Sequence, residues 1–265
     1  MRLMKSLFIV SLPRSLSTHT FRVARDALGL KAPAWVRNGE ILNLDLYALS
    51  TWPQLFASSH KFLIRERDPA TFSDVTALLD QAVNPEGFIY KDVVNPFVVA
   101  EWAGLRNLRV LKIRRDLADV AFAMQRQGWH YPRFAAPLEA PSSFALHRIV
   151  DKYIWTTAVR RLLRTMWHGQ ATAILSQDAM IRGLIRADNV LSMLPGEMVQ
   201  YDDLITSEEP LRQALRRLYP EAAITAIRYI DAAFREKRKE MKERNDTRRY
   251  RSIRNRIDHL HAKMS

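Results

Sequence analysis

The chain has no cysteine. That excludes a disulfide scaffold and thiolate chemistry, and it suits a reducing compartment. No internal repeat and no low-complexity stretch occurs, which removes repeat architectures. No apolar run approaches the ~18 residues of a membrane-spanning helix. Met1–Leu12 places Arg2 and Lys5 ahead of an apolar run, as a secretory signal does, but the run is short. Pro13-Arg14 also stands where small residues would prepare cleavage. The expectation is a soluble, cytoplasmic protein. No grouping of His, Asp and Glu has metal-ligand spacing. The Gly-x4-Gly-Lys-Ser/Thr pattern of P-loop NTPases is missing as well.

What is present is basic and apolar. The 265 residues are 48% hydrophobic, enough to bury a core in one α/β domain of ordinary size. The formal net charge is +13. From Arg235 to the end, 12 Lys/Arg stand against 5 Asp/Glu, a net of +7 and about half of the excess. Such a balance favours anionic partners in general: nucleotides, nucleic acid, acidic glycans or lipid surfaces.

The stretch that organises the chain is Leu7 to Thr18. Leu7 to Val10 is a short apolar run of β-formers and reads as a buried parallel strand. Pro13 ends it, having no N–H for a ladder. Ser15, Ser17 or Thr18 can cap the helix that follows, whose apolar positions Phe21, Ala24 and Leu28 run to a C-capping Gly29. A strand turning sharply into a hydroxyl-rich helix start suits an anion. The first helical N–H groups lack internal partners, and the dipole adds about half a positive charge. Arg14 adds a forked cation.

The pattern then repeats. Phe88–Tyr90 reads as a second buried strand ending at Lys91-Asp92, after the turn Asn84-Pro85-Glu86-Gly87. Leu108–Ile113 reads as a third, ended by Arg114-Arg115-Asp116 and followed by a helix from Leu117 to Gln127. Alternating strands and helices predict a parallel sheet covered by helices, with ligands beyond the carboxyl ends of the strands. Three strands ending in Arg14, Lys91, and Arg114 with Arg115 predict a shared anion site there. Ala32–Arg37 reads as a short edge segment, and Thr71-Phe72-Ser73-Asp74 as a capping box. Helices are expected from Pro96 to Leu105, from Ser142 to His168, from Gln177 to Arg186 and from Leu211 to Leu218. A late strand is expected at Glu197–Tyr201, and a final helix from Pro220.

Pro13-Arg14-Ser15-Leu16-Ser17-Thr18 resembles the Pro-Arg/Lys-Ser-Gly-Thr/Ser-Thr loop of sulfotransferases, with Leu16 where that family usually has glycine. Further pieces follow in order. Gly39-Glu40 resembles a segment after the first helix in members that use glutamate. Tyr90-Lys91-Asp92 resembles a strand-end Lys-Asp pair. Arg115-Asp116-Leu117-Ala118-Asp119-Val120 resembles Arg-Asp-Pro-Arg-Asp-Val, with Leu117 in place of proline. Ala123 stands where the family often has a phosphate-binding serine, and Tyr201-Asp202-Asp203-Leu204 resembles a late Tyr-Glu-Asp-Leu.

The resemblance implies one domain over residues 1–265, with a basic, mostly helical extension over 235–265. It implies a three-layer α/β sandwich with a mostly parallel central sheet, a P-loop-like strand–loop–helix at the N-terminus, and a helix-rich C-terminal half. The implied activity is sulfuryl transfer from 3′-phosphoadenosine-5′-phosphosulfate (PAPS) to a hydroxyl, with an amine as second choice. The product would be 3′,5′-adenosine bisphosphate, and no metal is needed. Arg14, Ser15, Leu16, Ser17 and Thr18 would hold the 5′-phosphosulfate and Arg115 the 3′-phosphate. Lys91 and Arg14 would neutralise the leaving oxygen, and Glu40 would accept the proton, with His60 and His19 as rivals. The acceptor is a small molecule or a glycan, lipid or peptide hydroxyl; the loop from Gly128 to Pro141 is a candidate lining. No nucleic-acid partner is expected. Two other readings stay open: a non-catalytic binder of polyanions, and a small-molecule kinase on a P-loop fold.

Overall fold

The computed structural model describes residues 4–34, 79–93, 108–126, 177–224 and 248–264, with single positions 77, 106, 227, 235 and 236. Glu40, His60, the capping box at Thr71 and the expected helices from Pro96 and Ser142 lie outside the described residues, as does the loop from Gly128.

Among the described residues, four strands form one parallel sheet: β1 (Leu7–Ser11), β2 (Ile89–Asp92), β3 (Arg109–Arg114) and β4 (Glu197–Gln200), in the order β2-β1-β3-β4. The helices are α1 (Ser17–Leu28), α2 (Leu117–Arg126), α3 (Gln177–Met193), α4 (Tyr201–Leu204), α5 (Glu209–Leu218) and α6 (Arg248–Met264). The α/β reading therefore holds for the described residues. None of their helices is long and apolar enough to cross a membrane.

β1 is central because its five residues are buried on both faces, as its unbroken apolar run requires. Leu7, Ile9, Ile89, Leu111 and Ile113 share one core with Phe21, Ala24 and Leu28 of α1 and Leu211, Ala214 and Leu215 of α5. Phe8, Val10, Tyr90 and Val110 alternate with them and are equally buried. A second core joins α2, α3 and α6 through Val120, Ile181, Ile185, Ile253, Ile257 and Leu260. The basic tail is thus not wholly a solvated face: three apolar residues, at helical spacing, seat it on α2 and α3.

Two glycines answer backbone needs. Gly29 ends α1 in the left-handed region at φ +62°, its N–H donating to the Arg25 carbonyl. Gly196 enters β4 at φ +119°, and a Cβ there would lie 2.5 Å from the Val110 carbonyl oxygen.

Some expectations are corrected. No hydroxyl caps α1: its N-cap is Leu16, with no side-chain cap bond, and Ser15 Oγ lies 3.5 Å from the Pro13 carbonyl instead. No helix starts at Pro220. The chain there forms tight turns, with Ala222 N–H on the Tyr219 carbonyl and Ile224 N–H on the Ala222 carbonyl. These turns let Ile224 and Ile227 drop into the core beside α5. Tyr201 ends no strand but opens α4, and α3 runs on to Met193, past Arg186.

Candidate anion site at the carboxyl edge of the sheet

Strand register brings the basic residues to one edge. Val10 pairs with Asp92 of β2, and Ser11 with Ile113 of β3, so residues just past each strand emerge together. Strand order reverses at β1, between β2 on one side and β3 on the other. Doubly wound sheets bind ligands at such a reversal.

Between β1 and α1 the backbone turns through two left-handed residues, Arg14 at φ +65° and Leu16 at φ +63°. The position that resembles a glycine is left-handed although leucine fills it. A non-glycine residue there costs roughly 1–2 kcal/mol. Such strain persists only where the surroundings over-determine it, and it gathers at binding sites. The first backbone bond of α1 runs from Thr20 N–H to the Leu16 carbonyl at 2.9 Å. The N–H groups of Ser17, Thr18 and His19 come before it, so the helix itself has no acceptors for them.

Lys91 is level with Ile9 and so faces α1. It is fully buried, and its Nζ donates to Thr18 Oγ1 at 2.7 Å. Arg115 closes the other side. Its Nη1 donates to the Arg14 carbonyl at 2.5 Å, and its guanidinium lies 4.1 Å over the Tyr201 ring centroid. Lys91, the Arg14–Thr18 turn and Arg115 therefore form one contiguous chain of contacts from three strands. Arg14 itself is exposed at the mouth. Arg114 does not join them. It turns to Asp188 of α3 in a two-pronged pair at 3.0 and 2.7 Å.

Asp116 caps α2, accepting from Ala118 and Asp119 N–H at 2.9 and 3.1 Å. Ala123, at the serine-like position, is half-buried on α2. A cleft of about 400 Å³ opens beside Arg115, lined by Asp116, Gln200 and Asp202 with Arg254 of α6. Among the described residues no group of three His, Asp or Glu could hold a metal. His19 sits in the first turn of α1. Burial, helped by the nearby Arg22 charge, holds its pKa below the usual 6.5.

Three further side chains in this region have no role assigned from the sequence. Tyr201, part of the late Tyr-Asp-Asp-Leu segment, is the platform under Arg115. Tyr250 and Arg254 reach Asp119 and Asp116 from α6. Lys112, a member of the apolar strand β3, is a fourth. It is buried on the face opposite Lys91, and its Nζ donates to the Leu194 carbonyl. Burial lowers its pKa, with Glu197 pulling the other way.

No family model matches the chain, and no curated protein matches it. Among solved structures, the sulfotransferase domain from the curacin biosynthetic pathway is similar at 15% identity, with a TM-score of 0.35. The match covers 83% of this chain and 74% of that one. A likeness at that distance says nothing about chemistry.

Proposed function

We propose that the protein is a sulfotransferase that uses PAPS and an acceptor hydroxyl. The observation that carries this reading is the contact chain Lys91–Thr18 and Arg115–Arg14 carbonyl, which brings the cations of Lys91 and Arg115 from β2 and β3 to the turn between β1 and α1, whose helix start has no side-chain cap. Had these residues been scattered, the reading would have no site. The residues present fit a ligand with two anionic ends. The turn and Lys91 suit one end, and Arg115, beside the cleft, suits the other.

PAPS would supply the sulfuryl group and, as bisphosphate, the leaving group. The Ser15–Thr18 backbone and Arg14 would hold the 5′-phosphosulfate, with Leu16 setting the turn. Lys91 would offset charge on the oxygen that parts from sulfur. Arg115 would hold the 3′-phosphate. Glu40 would take the acceptor's proton, with His60 as the alternative base. His19 is kept neutral near pH 7 by burial but lies on the helix itself. Positioning and fixed charge would do most of the catalysis, as in phosphoryl transfer.

The test is calorimetry with 3′,5′-adenosine bisphosphate. Tight, saturable binding that Arg14→Ala weakens strongly is the expected result. Binding that Arg14→Ala leaves unchanged would remove the cofactor assignment. Equal affinity for any polyanion, falling steeply with salt, would favour the polyanion reading instead. A mass-spectrometric screen of sugars, lipids, phenols and tyrosine peptides for the gain of one sulfuryl group would identify the acceptor.

A further inference from the structure

Arg115 and Asp119 lie one helical turn apart and face each other, yet they do not hydrogen-bond. Arg115 Nε stands 3.8 Å from Asp119 Oδ2, and their side chains are 9% and 2% exposed. Both atoms are buried and neither has a hydrogen-bond partner. Buried polar atoms are seldom left so, and two left facing each other require a reason. An arginine and a carboxylate at this spacing would ordinarily close into a two-pronged pair.

The reason lies on α6. Tyr250 Oη donates to the other carboxylate oxygen, Asp119 Oδ1, at 2.9 Å. The ring is held edge-on to Phe122 of α2, centroids 5.6 Å apart, so the hydroxyl has little room to follow the carboxylate. Arg254 donates to Tyr250 Oη at 2.7 Å and to Asp116 at 3.1 Å, fixing the hydroxyl from the far side. Asp119 is tethered toward α6. Beyond that long ion pair, the Arg115 fork meets, among the described residues, only the Arg14 carbonyl and the Tyr201 face, neither of which carries a full negative charge.

We infer that Tyr250 is a positioning residue: by tethering Asp119 it keeps the carboxylate from closing to hydrogen-bond contact with Arg115, and so leaves that arginine's donors available to an anion at the carboxyl edge of the sheet. Without the tether, Asp119 closes on Arg115 and competes with that anion. The C-terminal helix thus contributes to the site without entering it.

The nucleotide arm of the test rests on the function proposed above; the other arm does not. In the first, Tyr250→Phe keeps the ring and its packing, and bisphosphate affinity is expected to fall by about tenfold, the scale of one charge-assisted hydrogen bond. Adding Asp119→Asn removes the competing charge, and affinity should return to within about threefold of the parent. A role confined to holding α6 in place predicts a double variant no better than the single. In the second arm, no nucleotide is present. The proton–nitrogen NMR signal of Arg115 Nε–H should move downfield in Tyr250→Phe as Asp119 becomes its acceptor, and move back in the double variant.

An unmoved signal, or an unrescued loss of affinity, overturns the inference. A moving signal in a protein that binds no bisphosphate upholds it and removes the cofactor reading instead. Should Tyr250→Phe unfold, Asp119→Asn alone decides. Affinity held or raised supports the tether, and affinity lost overturns it.

Discussion

Lys91→Met separates a lysine kept for an anion from one kept for the fold. The side chain is fully buried and donates to Thr18 Oγ1 at 2.7 Å. Burying an ammonium costs several kcal/mol even after relaxation. Its hydrogen bond to the Thr18 hydroxyl is charge-assisted and returns about 1.5–3 kcal/mol. Methionine fills nearly the same volume without the charge. The burial cost and the lost contacts therefore largely offset, and stability should fall by no more than about 2 kcal/mol. Ligand affinity should fall as well. Removing one ionised donor from a bound phosphosulfate costs about 1.5–3 kcal/mol, or roughly ten- to hundredfold in bisphosphate affinity. If the ammonium also meets charge developing on the leaving oxygen, turnover falls by about 10²–10³. Urea melts, calorimetry and mass-spectrometric turnover read the three quantities on one preparation. A variant that loses several kcal/mol of stability while binding and turning over normally would make Lys91 structural and refute the reasoning.

Other perturbations test the turn, the sheet and the acid response. Leu16 is left-handed and packs part of its side chain on the core beside α1. Leu16→Gly exchanges strain for chain entropy and should stay within about 1 kcal/mol in a urea melt. Leu16→Ile forces a β-branched residue to φ > 0 and should lose roughly 1–2 kcal/mol. Gly196→Ala drives a methyl against the Val110 carbonyl and parts β4 from β3, so thermal melting should show a loss of at least ~2 kcal/mol. His19 has its folded pKa held below 6.5, so the unfolded chain takes up its proton first as pH falls. Its contribution is therefore present above pH 6.5 and lost as pH falls from there through the lowered folded pKa. His19→Gln should flatten the decline in stability between about pH 7 and 5.

Local pattern was enough to place most of the described elements. The apolar run at Leu7–Val10, the basic residues after β1 and β3, the turn at Asn84–Gly87 and the cap at Gly29 each encode their conformation within a few neighbours. Buried parallel strands are legible because both faces demand apolar side chains, and helix ends because backbone donors or acceptors run out. The same locality explains the errors. Ser15, Ser17 and Thr18 carry equal capping potential, but the turn's own geometry passes the N-cap to Leu16.

Which charges meet was decided by the tertiary structure alone. Arg114 and Arg115 are adjacent in sequence, yet one is spent on Asp188 of α3 while the other reaches back to the Arg14 carbonyl. Lys91 and Lys112 lie on opposite faces of the sheet, because β2 is level with β1 at Ile9 and β3 is level with it at Val10. Tyr250 finds Asp119 across 131 positions, through a helix that periodicity reveals as amphipathic but cannot dock. An isolated stretch encodes its own backbone and its apolar face. The field at a site depends on register and docking, which place groups from distant stretches within a few ångströms, where Coulomb energy and hydrogen bonding act.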